Sequence, residues 1–317
     1  MHKQLVNQCS IEFGLEAQGP LLIKASGQGG DPTKPDMEFV ETYRDGQKSI
    51  YLPGSSLKGA IRAYAEKLVR TVGGDNSSSK TIWANDPLSK DRSQKRFKRE
   101  GETSSDIYKT SSFTEQMFGN TDIASRVRID DAYPDPELPV ILEERNSVAI
   151  DRVLGSTSGA GLFNYQVCTQ GRFVTTLHLK NFSLAQLGLI GLVLRDLDEG
   201  WFSIGYGKSR GLGTMKVVYR KAVVQYPTCI VENDQIKRVG HAKVWPRQSL
   251  LGAGEFFAEG KKNPYGFPYP DRQEAAIGVS PMELGFGAEI VLQGDVQVKD
   301  LFMRSVKAWK IAVGIDA

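Results

Sequence analysis

Two stretches of this sequence join glycines to cations at spacings that suit a phosphate chain. The first is Pro53-Gly-Ser-Ser-Leu-Lys-Gly59, with Lys58 and Arg62 four residues apart. A Gly/Ser turn that opens a helix presents backbone N–H groups, and the helix dipole favours an anion there. Lys58 adds a full charge. The second is Gly205-Tyr-Gly-Lys-Ser-Arg-Gly-Leu-Gly213, where Lys208, Ser209 and Arg210 stand among four glycines. Small residues let a phosphate chain approach the backbone, and Lys and Arg neutralise it. Neither stretch is a nucleotide fingerprint. Gly54 and Gly59 have the Walker A separation, but Ala60-Ile61 stand where that loop carries Lys-Ser or Lys-Thr. Gly205–Gly213 lacks the dinucleotide spacing and follows a helical pattern. Plainer readings are a capped helix start for the first and a flexible turn for the second.

The elements that must hold these motifs are legible in the periodicity. Ile11, Phe13 and Leu15 alternate with polar or small residues, which predicts a half-buried strand over 4–16. A Gly/Pro/Asp-rich loop, Gly27–Asp36, follows. Phe39-Val40 and Ser49–Leu52 read as short strands around a turn at Asp45-Gly46. Leu57, Ile61, Tyr64, Ala65 and Leu68 predict a helix that Ser55 or Ser56 can cap and Gly73-Gly74 ends. Residues 124–132 and 172–179 read as strands, and 134–166 as two arms of a long hairpin. Leu184–Glu199 reads as a helix packed through Leu187, Ile190, Gly191 and Leu194, and Thr214–Val224 as a strand. This order is a split βαβ plan of the ferredoxin-like type with insertions, an α+β fold. Beyond it lie a strand near Glu289–Gln293 and a helix near Leu301–Trp309.

Whole-chain numbers are ordinary. The 317 residues allow one large domain or two. A charge of +3, from 40 Lys+Arg against 37 Asp+Glu, does not announce a nucleic-acid partner. The basicity is clustered: Lys90–Arg99 holds six basic residues and one acid. That run lies in a polar segment, 75–112, which reads as a solvated insertion or an added phosphate contact. The longest apolar run, Leu187–Leu194, is far short of the roughly 20 residues of a membrane span. No apolar signal-peptide stretch opens the sequence, so none is expected. Cys9, Cys168 and Cys229 are too dispersed for a disulfide framework or a zinc site and suit a reducing cytoplasm.

Taken together, four segments resemble the RAMP superfamily of CRISPR-associated proteins. Leu52-Pro-Gly-Ser-Ser-Leu-Lys-Gly-Ala-Ile-Arg62 resembles the family's first-helix motif, and Gly205–Gly213 its C-terminal glycine-rich loop. Met117-Phe-Gly119 with Ser125–Ala132 resembles the Phe-Gly and Arg-rich strand of backbone subunits of type III effector complexes. Asn146-Ser-Val-Ala-Ile-Asp-Arg152 resembles the start of their thumb hairpin. The likeness spans residues 5–224. It implies a modified ferredoxin-like, RRM-like RAMP core over 1–224, with a basic insertion at 75–112 and a thumb at 134–166. Residues 225–317 would then be an extension packing on the core or on a neighbouring subunit. No cysteine stands in 75–112, where some relatives bind zinc.

The resemblance also implies partners and sites. The partners would be CRISPR RNA, target RNA, other RAMP-type subunits and a large Cas10-type subunit, in a prokaryotic cytoplasm. Lys58, Arg62, Lys208 and Arg210, with Ser55, Ser56 and Ser209 beside them, would hold guide phosphates. Arg126, Arg128 and Arg152 are further RNA-binding candidates, though strand arginines are often solvated ion-pair partners. In the family an Asp in the loop after the first strand cleaves target RNA. Asp36, three residues before Phe39-Val40, matches best, and Asp31 is the alternative. The chemistry implied is attack of a ribose 2′-OH on its own phosphate, with Asp36 holding Mg²⁺ or another divalent cation, or orienting the 2′-OH. Two alternatives stay open. One is a non-catalytic RNA-binding subunit in which both aspartates are turn residues. The other is a CRISPR RNA-processing endonuclease using His as general acid or base, although His2, His178 and His241 lie outside these motifs.

Overall fold

The computed structural model describes residues 4–25, 34–44, 46–74, 82–86, 88, 101–257 and 263–315. Asp31, His2 and the basic run 90–99 lie outside the described residues. The chain runs through β1 (Gln8–Ala17), the hairpin β2 (Glu41–Arg44) and β3 (Gln47–Ile50), α1 (Gly54–Gly73), α2 (Ser104–Thr110) and α3 (Phe113–Phe118). Next come β4 (Val127–Ile129), β5 (Tyr133–Pro134), the long hairpin β6 (Ile141–Ile150) and β7 (Thr157–Gln170), β8 (Arg172–Lys180), α4 (Leu184–Asp198) and β9 (Met215–Tyr226).

Strands β9, β1, β8 and β4 lie side by side in that order, all antiparallel. Helix α1 joins β1 to β4, and α4 joins β8 to β9. This is the ferredoxin-like plan, an α+β fold, as the sequence order predicts. The alternation in β1 puts Cys9, Ile11, Phe13 and Leu15 in the core, and that in β8 adds Phe173, Leu177 and Leu179. Leu57, Ile61, Ala65 and Val69 of α1 repeat every four residues and are buried.

The start of α1 corrects one expectation. Neither Ser55 nor Ser56 caps the helix; Pro53 holds the cap position with no side-chain bond. The Asp131 Oδ1 accepts the Gly54 N–H instead, at 2.7 Å. Gly54 is there because a Cβ would stand 2.1 Å from the Ile129 carbonyl oxygen. The strand expected over 124–132 shortens to Val127–Ile129, although the Arg126 carbonyl and the Asp130 N–H still bond to Lys180 and Thr176 of β8. Phe39 joins neither short strand; it bridges to Lys24, and the hairpin strands begin at Glu41.

The last ninety residues build on the same sheet. They comprise β10 (Cys229–Glu232), β11 (Gln235–Arg238), β12 (Val244–Pro246), β13 (Ser249–Leu251), α5 (Gly254–Phe257), β14 (Arg272–Glu274), β15 (Ser280–Pro281), β16 (Ala288–Gln293) and α6 (Gly294–Ala312). β16 pairs with β9 and β15 with β16, extending the sheet. Helix α6 packs along α4, which is why α4 is buried on nearly every side. The two helices meet where α4 has no side chains: a Cβ at Gly188 would lie 2.6 Å from the Ser305 oxygen, and one at Gly191 2.5 Å from the Phe302 ring.

Candidate nucleic-acid interface

The short segment after β1 ties three parts of the chain together. Leu21 exchanges backbone hydrogen bonds with Cys168 of β7, both 2.8 Å. Ile23 accepts from the Val40 N–H (2.9 Å), and the Ala25 N–H donates to Glu38 (3.0 Å). Leu22 accepts from the Tyr206 N–H (2.7 Å), and Pro20 from the Gly213 N–H (2.9 Å). The base of the hairpin, the segment carrying Asp36 and the glycine-rich loop therefore converge here.

In that loop all four glycines have positive φ: 81°, 72°, 79° and 87° at Gly205, Gly207, Gly211 and Gly213. Two are required by the fold itself. A Cβ would lie 2.4 Å from the Leu22 oxygen at Gly205 and 1.9 Å from the Ile204 oxygen at Gly213. Gly211 instead faces open space. Lys208, Ser209 and Arg210 form a single exposed 3-10 turn between them. The Arg210 guanidinium lies 5.1 Å from the Tyr206 ring centre and 5.9 Å from both Phe163 and Tyr165 of β7. These cation–π contacts hold the loop against the middle of the hairpin.

Asp36, in the segment between β1 and β2, bonds to the same stretch of β7. Its N–H donates to Asn164 Oδ1 (2.8 Å), and the Asn164 N–H donates to Asp36 Oδ2 (3.0 Å). The Gln166 N–H donates to Met37 (3.0 Å), and Gln166 Oε1 accepts from the Phe39 N–H (3.2 Å). Asn164 stands between Phe163 and Tyr165, so three consecutive residues of β7 anchor both Asp36 and Arg210. Asp36 is exposed, and its Oδ1 makes no hydrogen bond among the described residues.

A second basic group sits on α1. Lys58 and Arg62 share a face, and Lys58 Nζ donates to Ser125 Oγ at 2.8 Å. Partial burial, and then the charge of Arg62, hold the Lys58 pKa below the usual lysine range. Arg62 pairs with Glu66 at 2.7 Å. Ser55 and Ser56 are exposed on the first turn. Stacking of Tyr64 on Phe202, with centroids 4.2 Å apart, fixes α1 against the approach to the glycine-rich loop.

The remaining candidates separate. Arg128 is exposed and pairs with Asp130 at 3.2 Å. Arg152 is exposed in the turn between β6 and β7, away from the hairpin base. Arg126 is a correction. It is 4% exposed, and its guanidinium donates to the carbonyls of Gln116 and Asn181, to Tyr108 Oη and to Gln186 Oε1. It braces the fold and presents no charge to a ligand. His178 is bonded to Asp130 (2.9 Å) and Ser10 (3.1 Å), apart from either basic group.

Sequence reasoning missed Phe163, Asn164, Tyr165 and Tyr206. The alternation Phe-Asn-Tyr in the second hairpin arm was the available signal. Among the described residues no group of three or more His, Cys, Asp or Glu is placed to hold a metal. Asp36 alone would give a hard cation such as Mg²⁺ one protein ligand, the rest of its shell coming from phosphate oxygens and water. Among the described residues no helix is long and apolar enough to cross a membrane.

A family model described as "RAMPs: RAMP superfamily" matches residues 15–216, more than half of the chain. The match includes Asp36, Lys58, Arg62, the long hairpin and Gly205–Gly213. No curated protein matches the sequence.

Proposed function

We propose, from the premise that the chain belongs to the RAMP superfamily, that it is a CRISPR-associated RNA-binding protein and a backbone subunit of a type III effector complex. It holds CRISPR RNA and cuts the paired target RNA through Asp36. One observation carries the reading: Asp36 and Arg210 are anchored by consecutive residues of one strand, midway along a long hairpin. A carboxylate and a cation able to hold a phosphate are thus fixed to neighbouring residues of that strand.

In this reading Lys208 and Arg210 neutralise phosphates beside the hairpin, and Lys58 and Arg62 do so along α1. Ser55, Ser56 and Ser209 add hydroxyls and backbone N–H groups. With Oδ2 fixed by Asn164, Asp36 uses Oδ1 to orient a ribose 2′-OH. The 2′-oxygen attacks the adjacent phosphorus, the bond to the 5′-oxygen breaks, and a cyclic phosphate and a 5′-hydroxyl result. Mg²⁺ held by Asp36 would neutralise charge on that phosphate. The partners are target RNA, other RAMP-type subunits and a Cas10-type subunit.

A specific observation also favours a non-catalytic reading: the Asp36 carboxylate already has a structural bond to Asn164. Asp36→Asn separates the two, because its amide oxygen can still accept that bond while the charge is gone. In complexes assembled with guide RNA, Asp36→Asn and Asp36→Ala are both expected to retain guide and to lose one band from the ladder of target fragments. An unchanged ladder means that Asp36 does not cleave, and the chain then serves as an RNA-holding subunit alone.

A further inference from the structure

The groove between α4 and α6 is unused by the RNA reading. It encloses about 560 Å³ and is lined by Leu192, Phe302, Met303 and Val306, with Arg195, Lys299, Lys307 and Lys310 as its cations and Asp198 and Glu199 as its acids. Helix α6 carries two apolar stripes. Val298, Leu301, Phe302 and Trp309 are buried against the body of the protein. Val296 and Met303, one heptad apart, are 82% and 62% exposed. A helix that needs only one stripe to fold has a second one available for a partner.

Charge identifies the partner. Both acids of the groove keep their charge but stand together at the end of α4, where Asp198 accepts from the Val217 N–H (2.8 Å) and Glu199 from the indole of Trp201 (3.0 Å). Lys299 pairs with Asp295 (2.6 Å) and Arg195 with Asp196 (2.6 Å). Lys307 and Lys310 are exposed and form no ion pair among the described residues. Trp201, 71% exposed beside Glu199, supplies the kind of large aromatic anchor that dominates protein interfaces.

We infer that this groove docks an acidic amphipathic helix of a partner protein. Rows at Leu192, Arg195 and Glu199 on α4, and at Lys299, Met303, Val306 and Lys310 on α6, repeat every three or four residues, as ridges that receive a third helix do. Apolar side chains of the incoming helix fill the space over Met303 and Val306, and its Asp or Glu residues meet Lys307 and Lys310. A nucleic acid suits the groove less well: its aromatic rings, Phe302 and Tyr219, are buried and offer no face for base stacking. More than half of the groove comes from residues beyond 216, outside the family match.

The test uses the full-length protein and a fluorescein-labelled synthetic peptide about five helical turns long. Its Leu residues follow an i, i+4, i+7, i+11 pattern flanked by Glu, and a second peptide carries Lys in place of Glu. Saturable polarisation by the acidic peptide, with affinity at least about tenfold above the basic one, is expected. Met303→Asp, and Lys307→Glu with Lys310→Glu, should each weaken it about tenfold or more. The altered side chains are exposed, and unchanged guide RNA binding by the variants shows that they fold. Equal binding of both peptides, no saturation, or indifference to the variants overturns the inference. Displacement of the peptide by single-stranded RNA, with RNA affinity lost in the lysine variant, overturns it in favour of a nucleic-acid site.

Discussion

Arg126 and Arg128 lie two residues apart in a strand-like run, and alternation alone would put both on the same face. Arg128 does face solvent, but Arg126 precedes the first paired residue of β4, and its backbone N–H turns to Met117 (2.9 Å). Its side chain enters the interior, where Tyr108, Asn181, Gln116 and Gln186 supply acceptors from four separate segments. No local pattern shows that convergence, so the sequence reads as two solvent-facing arginines where there is one. Removing the guanidinium strands several buried acceptors at about 1–3 kcal/mol each. Arg126→Met should therefore lower the urea midpoint by an amount equivalent to about 3 kcal/mol or more, with guide affinity per folded molecule unchanged. The opposite outcome, intact stability with weakened guide binding, would return Arg126 to the RNA-binding set. At the same scale the cations of both glycine motifs were legible, because exposed charges follow the loops that carry them. The Asn164 bond to Asp36 was not legible, because 128 residues separate the pair.

Among the elements, β1, β8, α1 and α4 follow from periodicity because one face of each meets a single core. Helix α4 shows where that reasoning stops. Its apolar residues run all round, which says that it is covered, but the cover is α6, a hundred residues later. The start of α4 is tied instead to that of α5 by Asp271, whose Oδ1 accepts from the Leu184 N–H (3.0 Å) and Oδ2 from the Gly254 N–H (2.9 Å). Burial, aided by the nearby charge of Glu255 and opposed by these two bonds, pushes the Asp271 pKa up to about 7. The folded state thus holds a proton that the unfolded chain releases near pH 4. Stability from this group is complete below about pH 4 and is lost as pH rises toward 7, by up to about 4 kcal/mol. Urea midpoints measured from pH 4 to 8 should fall over that window. Asp271→Asn, which cannot ionise, should be less stable at pH 4, having one acceptor for two donors, and should show a flatter profile. Parallel profiles for the two proteins would exclude Asp271 as the source of the slope.

At the scale of the whole molecule, the main sheet is completed by the C-terminal third. Ile290 and Leu292 of β16, with Leu301, Phe302 and Trp309 of α6, are buried against residues before 227. Each such side chain contributes about 1.5–3 kcal/mol by leaving water, so their sum reaches the roughly 5–15 kcal/mol that holds a whole domain together. Ending the chain after Tyr226 should therefore give an insoluble or unfolded product by circular dichroism, even though it keeps all four strands of the ferredoxin-like plan. Charge, too, is distributed in a way that its total hides: +3 overall conceals two basic groups, one half-buried on α1 and one exposed in the glycine-rich loop. If both hold phosphates, binding of single-stranded guide RNA falls with salt, and removing one cation–phosphate pair reduces the slope of log K against log salt by about 0.7. Lys58→Ala with Arg62→Ala, and Lys208→Ala with Arg210→Ala, should each flatten the slope by about 1.4. Arg62 supplies the internal contrast, because its bond to Glu66 must open or be shared for it to reach a phosphate. A double variant at 58 and 62 that flattens the slope by only about 0.7 would assign the phosphate to Lys58 alone. Unchanged slopes in both double variants would mean that guide RNA runs elsewhere on the surface.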